Sequence, residues 1–249
     1  MNKKTIFITG ATSGIGRIIT ELCIKKGYVV YATGRNESSL ATLSRMGAKV
    51  FQGDLSNLVD IDRVYSQLPP IDIAIINAGV GTFESAYDLL DEEIDNMIDI
   101  NIKAPIYLTK RLAKQMIIRK SGHIIFIGSQ AGKVPTKKAS VYAASKHAIT
   151  GFANGLRMEL SPYNIQVTAV YPGPIDTPFL QKADSTNKYR EVMERYLLKP
   201  ENVAREVVRT IDKPVREVNL PRIMSATSKL YAIAPRLVEK LGSGFFNKK

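Results

Sequence analysis

The sequence predicts an α/β fold in which residues 1–249 form one doubly wound domain, with a seven-stranded parallel sheet and helices on both of its faces. Short β-rich apolar segments alternate with segments of helical periodicity, which is the pattern that builds parallel sheets. Residues 71–76 form an almost continuous apolar run, and such runs suit strands that are buried on both faces. The first apolar segment leads directly into a glycine-rich turn.

The first half of the chain contains four predicted strands. They cover residues 5–9, 28–33, 48–52 and 71–76, where β-branched and other apolar residues cluster. Between the first two strands, apolar residues recur at helical spacing from Ile15 until Gly27 stops the helix. Two further helices are predicted over residues 37–46 and 57–68.

The second half continues the alternation. Strands are predicted over residues 123–127, 165–171 and 218–220, and Pro172 ends the second of these. Residues 84–120 hold two helical patterns, and single helices are predicted over 140–160 and 201–212. The apolar stripe of helix 140–160 is expected to consist of Val141, Ala144, Ala148, Phe152 and Leu156.

Composition limits the classes of function. The 249 residues are 45% hydrophobic, no linker-like segment interrupts them, and Cys23 is the single cysteine, so a cytoplasmic protein without internal disulfides is expected. The net charge of +12 comes from scattered Lys and Arg residues without a nucleic-acid-binding motif, so no nucleic-acid partner is expected. His123 and His147 are isolated, and no metal site is expected.

The glycine-rich turn predicts dinucleotide binding. It follows a predicted strand and opens a predicted helix, which is the context that a phosphate-binding turn requires. Its glycines permit a tight turn, close approach of a pyrophosphate and close packing of helix on strand, while the helix N-terminus faces the anion. The expected binding residues are Gly10, Thr12, Ser13, Gly14, Ile15 and Gly16.

The end of the second strand indicates which dinucleotide is bound. An acidic residue there would bind the ribose hydroxyls of NAD, but the chain has Arg35 and no carboxylate. A guanidinium suits a 2′-phosphate, with Arg17 or Thr33 in support, so NADP(H) is favoured over NAD(H). The alternative is that Arg35 is a solvated turn residue.

Two further segments follow predicted strands and are expected at the same edge of the sheet. Asp54 and Leu55 are expected to bind the cofactor, with Asp54 accepting a hydrogen bond from the adenine amino group, although Asp54 could instead cap a helix. Asn77, Ala78 and Gly79 are expected to let the backbone pass close to the cofactor.

Tyr142 and Lys146 are the candidate chemical groups. A spacing of four residues places them side by side on one face of the predicted helix 140–160. The ammonium is then expected to lower the pKa of the phenol and make it useful for proton transfer. The alternative is an ordinary pair on a helix surface.

Together with the glycine turn and Asn77-Ala78-Gly79, the residues Asn101, Ser129, Tyr142-Ala-Ala-Ser-Lys146 and Pro172-Gly173 resemble the short-chain dehydrogenase/reductase family, in content, order and spacing. The resemblance covers nearly the whole chain and implies a Rossmann-type dinucleotide-binding domain and a homodimer or homotetramer. It implies reduction of an aldehyde or ketone to an alcohol, a reversible reaction with NADPH.

The resemblance also implies roles for single residues. Tyr142 would be the general acid, Lys146 would assist it and hold the nicotinamide ribose, and Ser129 would hydrogen-bond the substrate oxygen. Asn101 would hold a water that links the lysine to solvent, the alternative being a polar residue inside a helix. Pro172, Gly173 and Thr177 would border the nicotinamide.

Two segments carry no recognisable pattern. By the same resemblance, residues 174–199 would form a mobile flap over the substrate, and residues 221–249 form a basic tail that also contains apolar residues. Since 3-oxoacyl carrier-protein reductases usually end sooner, the tail favours a carbonyl or lipid-type reductase over a 3-oxoacyl thioester reductase. The tail could lie on an anionic membrane surface, or pack on the core and cap the substrate pocket. A dinucleotide-binding regulator without turnover is the remaining alternative.

Overall fold

The computed structural model describes residues 3–184 and 186–241. Its seven strands form one parallel sheet in the order β3-β2-β1-β4-β5-β6-β7, so the predicted fold class is confirmed. The strands are β1 Thr5–Thr9, β2 Val29–Gly34, β3 Lys49–Gln52, β4 Ile73–Ile76, β5 Gly122–Ile127, β6 Ile165–Pro172 and β7 Glu217–Leu220.

The helices of the described residues alternate with these strands. They are α1 Gly14–Lys25, α2 Glu37–Arg45, α3 Leu58–Ser66, α4 Asp91–Ile98, α5 Ala104–Arg119, α6 Ser140–Leu160, α7 Pro178–Ala183, α8 Lys188–Met193, α9 Pro200–Asp212, α10 Met224–Ile233 and α11 Pro235–Leu241. None of them combines the length and the hydropathy that a membrane span needs.

Apolar residues cover both faces of the sheet. On one face α1 and α9 contribute Ile19 and Val207 to a fully buried cluster. On the other face α5 and α6 contribute Leu112 and Ala153 to a second cluster. This double covering explains why the central strands are apolar on both sides, and it leaves the carboxyl ends of the strands free to build a site.

The apolar stripe predicted for α6 is wrong in part. Leu156 is buried as expected, but Ala144 is exposed. The buried face of α6 instead includes the polar residues Ser145 and Lys146 beside Tyr142. Hydrophobicity alone could not identify this face, because it carries the candidate chemical groups as well as core residues.

The region between β4 and β5 also differs from the prediction. Residues 84–90 are not helical, and the helix that follows runs from α4 into α5 through a π-helical segment at Asp99–Lys103. A π-helical turn adds one residue to a helix and so changes which side chains face inward, and such turns are frequent at functional sites. Here it places Asn101 inside the protein, with 1% of its surface exposed.

The flap contains α7 and α8. Its base is closed by a bridge between Ile175 and Leu198, and the backbone N–H of Leu198 donates to the carbonyl of Pro174 at 2.8 Å. Residue 185 of the flap lies outside the described residues, as do residues 242–249 of the tail. The described part of the tail forms α10 and α11.

Candidate active site

A cavity of about 680 Å³ opens at the carboxyl ends of the strands. Every residue expected to bind the dinucleotide, apart from the supporting residues Arg17 and Thr33, lies on its wall, and so do three of the four candidate catalytic residues. The predicted residues that line it are Gly10, Thr12, Ser13, Gly14, Ile15, Gly16, Arg35, Asp54, Leu55, Asn77, Ala78, Gly79, Ser129, Tyr142, Lys146, Pro172, Gly173 and Thr177.

The glycine turn fits tightly against its surroundings. Gly10 has a φ of +64°, which favours glycine, and a Cβ there would lie 2.8 Å from the Cα of Ala78. A Cβ on Gly16 would collide with the carbonyl oxygen of Gly10 and with the side-chain amide of Asn77. The turn therefore depends on the absence of side chains, because both glycines pack closely against neighbouring backbone and the Asn77 amide.

Asn77 holds the turn in place. Its side-chain amide donates to the carbonyl oxygens of Thr9 at 2.9 Å and Gly10 at 3.2 Å. In return, the Thr9 hydroxyl accepts hydrogen bonds from the backbone N–H groups of Asn77 and Ala78, both at 2.9 Å. The segment after β4 is thus tied to the end of β1, which fixes both segments beside the cavity.

The residues present fit a dinucleotide. The N-cap residue of α1, Ser13, makes no side-chain hydrogen bond to the helix, and the first residues of α1 line the cavity, so their backbone N–H groups are available to an anion. Thr177 stands over this turn, since a Cβ on Gly14 would lie 3.7 Å from the Thr177 side chain. The glycine turn, predicted to bind the pyrophosphate, and Thr177, predicted to border the nicotinamide, therefore lie close together in one groove.

Arg35 and Asp54 lie together where β2 and β3 end. Their charged groups are 3.7 Å apart and each side chain is about half exposed, so the ion pair contributes little to stability and leaves the guanidinium accessible. Neither supporting residue lines the cavity: Thr33 is fully buried, and Arg17 is paired with Glu21 at 2.9 Å. A role for the Thr33 side chain is therefore wrong, because a fully buried hydroxyl cannot reach a phosphate, whereas the role of Arg17, whose side chain is 44% exposed, stays a prediction.

Helix capping, the alternative for Asp54, is also wrong. The N-cap of α3 is Asn57, whose side chain accepts from the backbone N–H of Val59 at 2.8 Å. Asp54 instead accepts from the backbone and the hydroxyl of Ser56, at 3.0 and 2.9 Å, with the same oxygen. Its adenine-binding role stays a prediction.

Tyr142 lies on the buried face of α6 with 7% of its surface exposed. Burial raises the pKa of its phenol to about 12, while a hydrogen bond with the Ser129 hydroxyl acts in the opposite direction. The ordinary surface pair considered for Tyr142 and Lys146 is therefore wrong, because both side chains are buried. At neutral pH the phenol carries its proton and can donate it.

Lys146 lies one helical turn further along α6. Its Nζ is 5.7 Å from the centre of the Tyr142 ring, and burial lowers the pKa of the ammonium to about 8. The expectation that Lys146 brings the phenol below its ordinary pKa of 10.0 is wrong for the protein alone, because burial dominates. The spacing of four residues predicted that the two groups are neighbours, but it could not predict the free-energy cost of removing both of them from water.

Ser129 follows β5 after Gly128 and is oriented by its own loop. Its hydroxyl accepts from the backbone N–H of Ala131 at 3.1 Å. The next residue, Gln130, is buried and donates to the carbonyl of Tyr171 at 2.8 Å and to the side chain of Asn219 at 3.1 Å. These bonds attach the loop to β6 and β7, so Ser129 is held rigidly beside Tyr142.

Asn101 does not line the cavity but lies directly behind it. Its Oδ1 accepts from the Val80 N–H at 2.9 Å, and its Nδ2 donates to the Val80 carbonyl at 2.8 Å and to the Ser145 hydroxyl at 2.9 Å. Ser145 in turn donates to the carbonyl of Tyr142 at 2.7 Å. Asn101 therefore connects the loop after β4 to α6, whereas the water-holding role stays a prediction.

The aromatic side chains that surround Tyr142 do not follow from the sequence pattern. Phe83 follows β4, and Phe179 and Tyr189 belong to the flap; all three line the cavity. No sequence pattern relates the positions of these three residues to those of the catalytic residues. Only the folding of the flap over α6 brings them to the site.

The tail helices also reach the cavity. Met224, Thr227 and Val238 lie on its wall, which agrees with the alternative in which the tail caps the pocket. Other apolar tail residues face outward, among them Ile233, which is 83% exposed, and Leu241, which is 78% exposed. Contact with a membrane surface through the tail stays a prediction.

The fold and this site define an oxidoreductase of the doubly wound class, and comparisons with known proteins identify the family. A sequence profile described as short chain dehydrogenase matches residues 4–188. An uncharacterized short-chain type dehydrogenase/reductase of Sinorhizobium fredii is 36% identical over 221 residues, which cover 86% of this chain and 88% of that protein.

Solved structures agree. The closed form of serine dehydrogenase complexed with NADP+ has a TM-score of 0.81 and 32% identity, covering 86% of this chain and 93% of that one. A short-chain dehydrogenase from Sphingobium yanoikuyae in complex with NADPH has a TM-score of 0.82 and 26% identity, covering 95% of both chains. The chain belongs to the short-chain dehydrogenase family, whose members are oxidoreductases that act on CH–OH and C=O groups.

Proposed function

We propose that this protein reduces an aldehyde or ketone to an alcohol with NADPH, in a reversible reaction, and that Tyr142 is its general acid. The observation that carries the proposal is the state of Tyr142: a buried phenol with a pKa of about 12 that shares a hydrogen bond with Ser129 inside a cavity suited to a dinucleotide. Such a phenol is protonated at neutral pH, as a proton donor must be.

The chain's own groups divide the work as follows. Ser129 and Tyr142 hydrogen-bond the substrate oxygen and so stabilise the negative charge that develops on it. Tyr142 then delivers its proton to that oxygen. Lys146 supplies positive charge beside the phenol, which favours loss of its proton. When bound, the reduced nicotinamide supplies the hydride.

We assign Arg35 the recognition of a 2′-phosphate. It is accessible, stands at the end of β2 and lines the cavity, and no carboxylate that could bind ribose hydroxyls occupies its position. The two solved relatives described above are complexes with NADP+ and NADPH, which supports the same preference.

The proposal is tested with Tyr142→Phe. The purified protein is expected to oxidise NADPH in the presence of a panel of aldehydes and ketones, and the variant to lose at least about a hundredfold in kcat, the scale of a general acid. The matched control is Tyr163→Phe, a partly exposed tyrosine that does not line the cavity. NADPH affinity measured by fluorescence titration is expected to persist in Tyr142→Phe.

Two outcomes would overturn the proposal. Unchanged turnover in Tyr142→Phe would remove the phenol from the chemistry. Tight NADPH binding without turnover of any carbonyl would instead favour the dinucleotide-binding regulator. A homodimer or homotetramer and a cytoplasmic location remain predictions, to be checked by sedimentation and by fractionation.

A further inference from the structure

An aromatic wall, defined as Phe83, Phe179 and Tyr189, surrounds the phenol of Tyr142. The ring centres of Phe83 and Phe179 lie 5.5 and 5.8 Å from that of Tyr142. The rings of Phe83 and Tyr189 meet edge to face at 5.0 Å. Because all three rings line the cavity that contains Tyr142, they offer aromatic surface to a substrate whose oxygen reaches the phenol.

Polar contacts hold the aromatic wall in position. The backbone N–H of Phe83 donates to the carbonyl of Ala183 at 2.7 Å, which joins the loop after β4 to the flap. The buried carboxylate of Asp184 accepts from the backbone N–H of Tyr189 at 2.7 Å. Because both bonds fix the backbone that carries the rings of Phe83 and Tyr189, the fold sets the positions of these two rings.

The aromatic wall is closely packed on the side that faces the loop after β4. A Cβ on Gly81 would lie 2.9 Å from Phe179 and 3.0 Å from the Tyr142 ring, so the loop after β4 passes directly against both rings. Leu180 and Met193 are buried beside them on the flap. Met224 and Val238 add apolar surface from the tail.

Charged groups are scarce at this end of the cavity. Among the described residues that line it, the charged side chains are Arg35, Asp54, Lys146 and Lys182. Arg35 and Asp54 lie at the far strands β2 and β3, and Lys182 is exposed on the flap. Lys146 is buried beside Tyr142, where the proposed reaction uses it, so a substrate carboxylate or ammonium against the aromatic wall would lose its water without gaining a further buried charged partner, which is costly.

We propose that the carbonyl substrate carries a bulky apolar group that binds against the aromatic wall, and that Phe83, Phe179 and Tyr189 determine this specificity. The inference rests on the proposed carbonyl reduction and narrows it to apolar aldehydes and ketones. It separates this chain from the solved relative named for serine, a substrate with two charged groups.

The test uses the full chain with NADPH and straight-chain methyl ketones of increasing length. kcat/KM is expected to rise about fourfold for each added methylene until the wall is covered, the increment that corresponds to burying one such group. An α-keto acid of equal length is expected to react at least about a hundredfold more slowly than the long methyl ketone.

Variants test which residues produce the dependence of kcat/KM on chain length. Phe179→Ala is expected to flatten the dependence on chain length, while Phe179→Leu, which keeps an apolar side chain, restores most of it. The matched control is Tyr87→Ala, which removes an aromatic ring that is 88% exposed and does not line the cavity. Calorimetric binding of the corresponding long-chain and short-chain alcohols gives a readout that needs no turnover.

The outcomes distinguish a failure of the proposed function from a failure of the inferred substrate specificity. Absence of turnover with every carbonyl would overturn the proposed function, whereas the alcohol affinities would still decide whether the wall binds apolar chains. Turnover that is independent of chain length, or that favours the keto acid, would overturn the inference and leave carbonyl reduction in place. Equal effects of Phe179→Ala and Tyr87→Ala would also overturn it.

Discussion

Replacement of Asn101 by alanine tests whether this residue holds the active site together. The side chain is 1% exposed and makes three hydrogen bonds, two to the backbone of Val80 and one to the hydroxyl of Ser145. Each buried hydrogen bond contributes about 1 kcal/mol net, so Asn101→Ala is expected to lower the free energy of unfolding by about 3 kcal/mol. That is a large share of the roughly 5–15 kcal/mol that stabilises a typical domain.

Urea denaturation followed by circular dichroism measures this loss as a lower midpoint at an unchanged slope. The matched control is Asn96→Ala, an exposed position of α4 in the same helical segment, where alanine is expected to be neutral or slightly stabilising. A loss below about 1 kcal/mol in Asn101→Ala, or an equal effect of both variants, would show that the hydrogen bonds of Asn101 do not connect the loop to α6.

Three further predictions concern the cofactor and pH. Arg35→Ala is expected to weaken NADPH binding about 10- to 100-fold with little change for NADH, as measured by fluorescence titration; equal weakening of both would contradict the phosphate role. Gly16→Ala is expected to lower Tm and abolish NADPH binding, whereas Gly151→Ala, where a Cβ would meet nothing within 4 Å, is expected to be tolerated; wild-type affinity in Gly16→Ala would contradict the turn geometry. Burial lowers the pKa of His123 from 6.5 to about 4, so the unfolded state binds the extra proton and the free energy of unfolding is expected to fall as pH decreases through this interval. Denaturation at several pH values checks this, and the same slope in His123→Gln would contradict it.

The sequence predicted the fold well because its signals are local. The hydrophobic period, the glycines that end helices and the prolines that end strands are all features of neighbouring residues. Both ends of β1 and the full range of α6 were therefore predicted correctly. The π-helical turn at Asp99–Lys103 was missed, because one added residue in a continuous helix leaves the hydrophobic pattern almost unchanged. The inward position of Asn101 follows from that turn.

The site was predicted less completely than the fold. Residues fixed by backbone shape, such as Gly10 and Gly16, were identified correctly as lining the groove, because their motif describes a turn. The pKa of Tyr142 was predicted in the wrong direction, since the degree of burial is a property of the folded chain. Phe179 and Tyr189 were missed for the same reason: their contact with α6 depends on how the flap folds.

The central claim is that this chain transfers hydride from NADPH to a carbonyl carbon while Tyr142 protonates the oxygen. The most direct measurement uses NADPH deuterated at both positions of its nicotinamide C4, a long-chain methyl ketone and mass spectrometry of the product. The alcohol is predicted to carry a single deuterium on its carbinol carbon when made by the wild-type protein, and Tyr142→Phe is predicted to form it at least about a hundredfold more slowly. Alcohol without deuterium at that carbon, or labelled alcohol at an undiminished rate from Tyr142→Phe, would contradict the account.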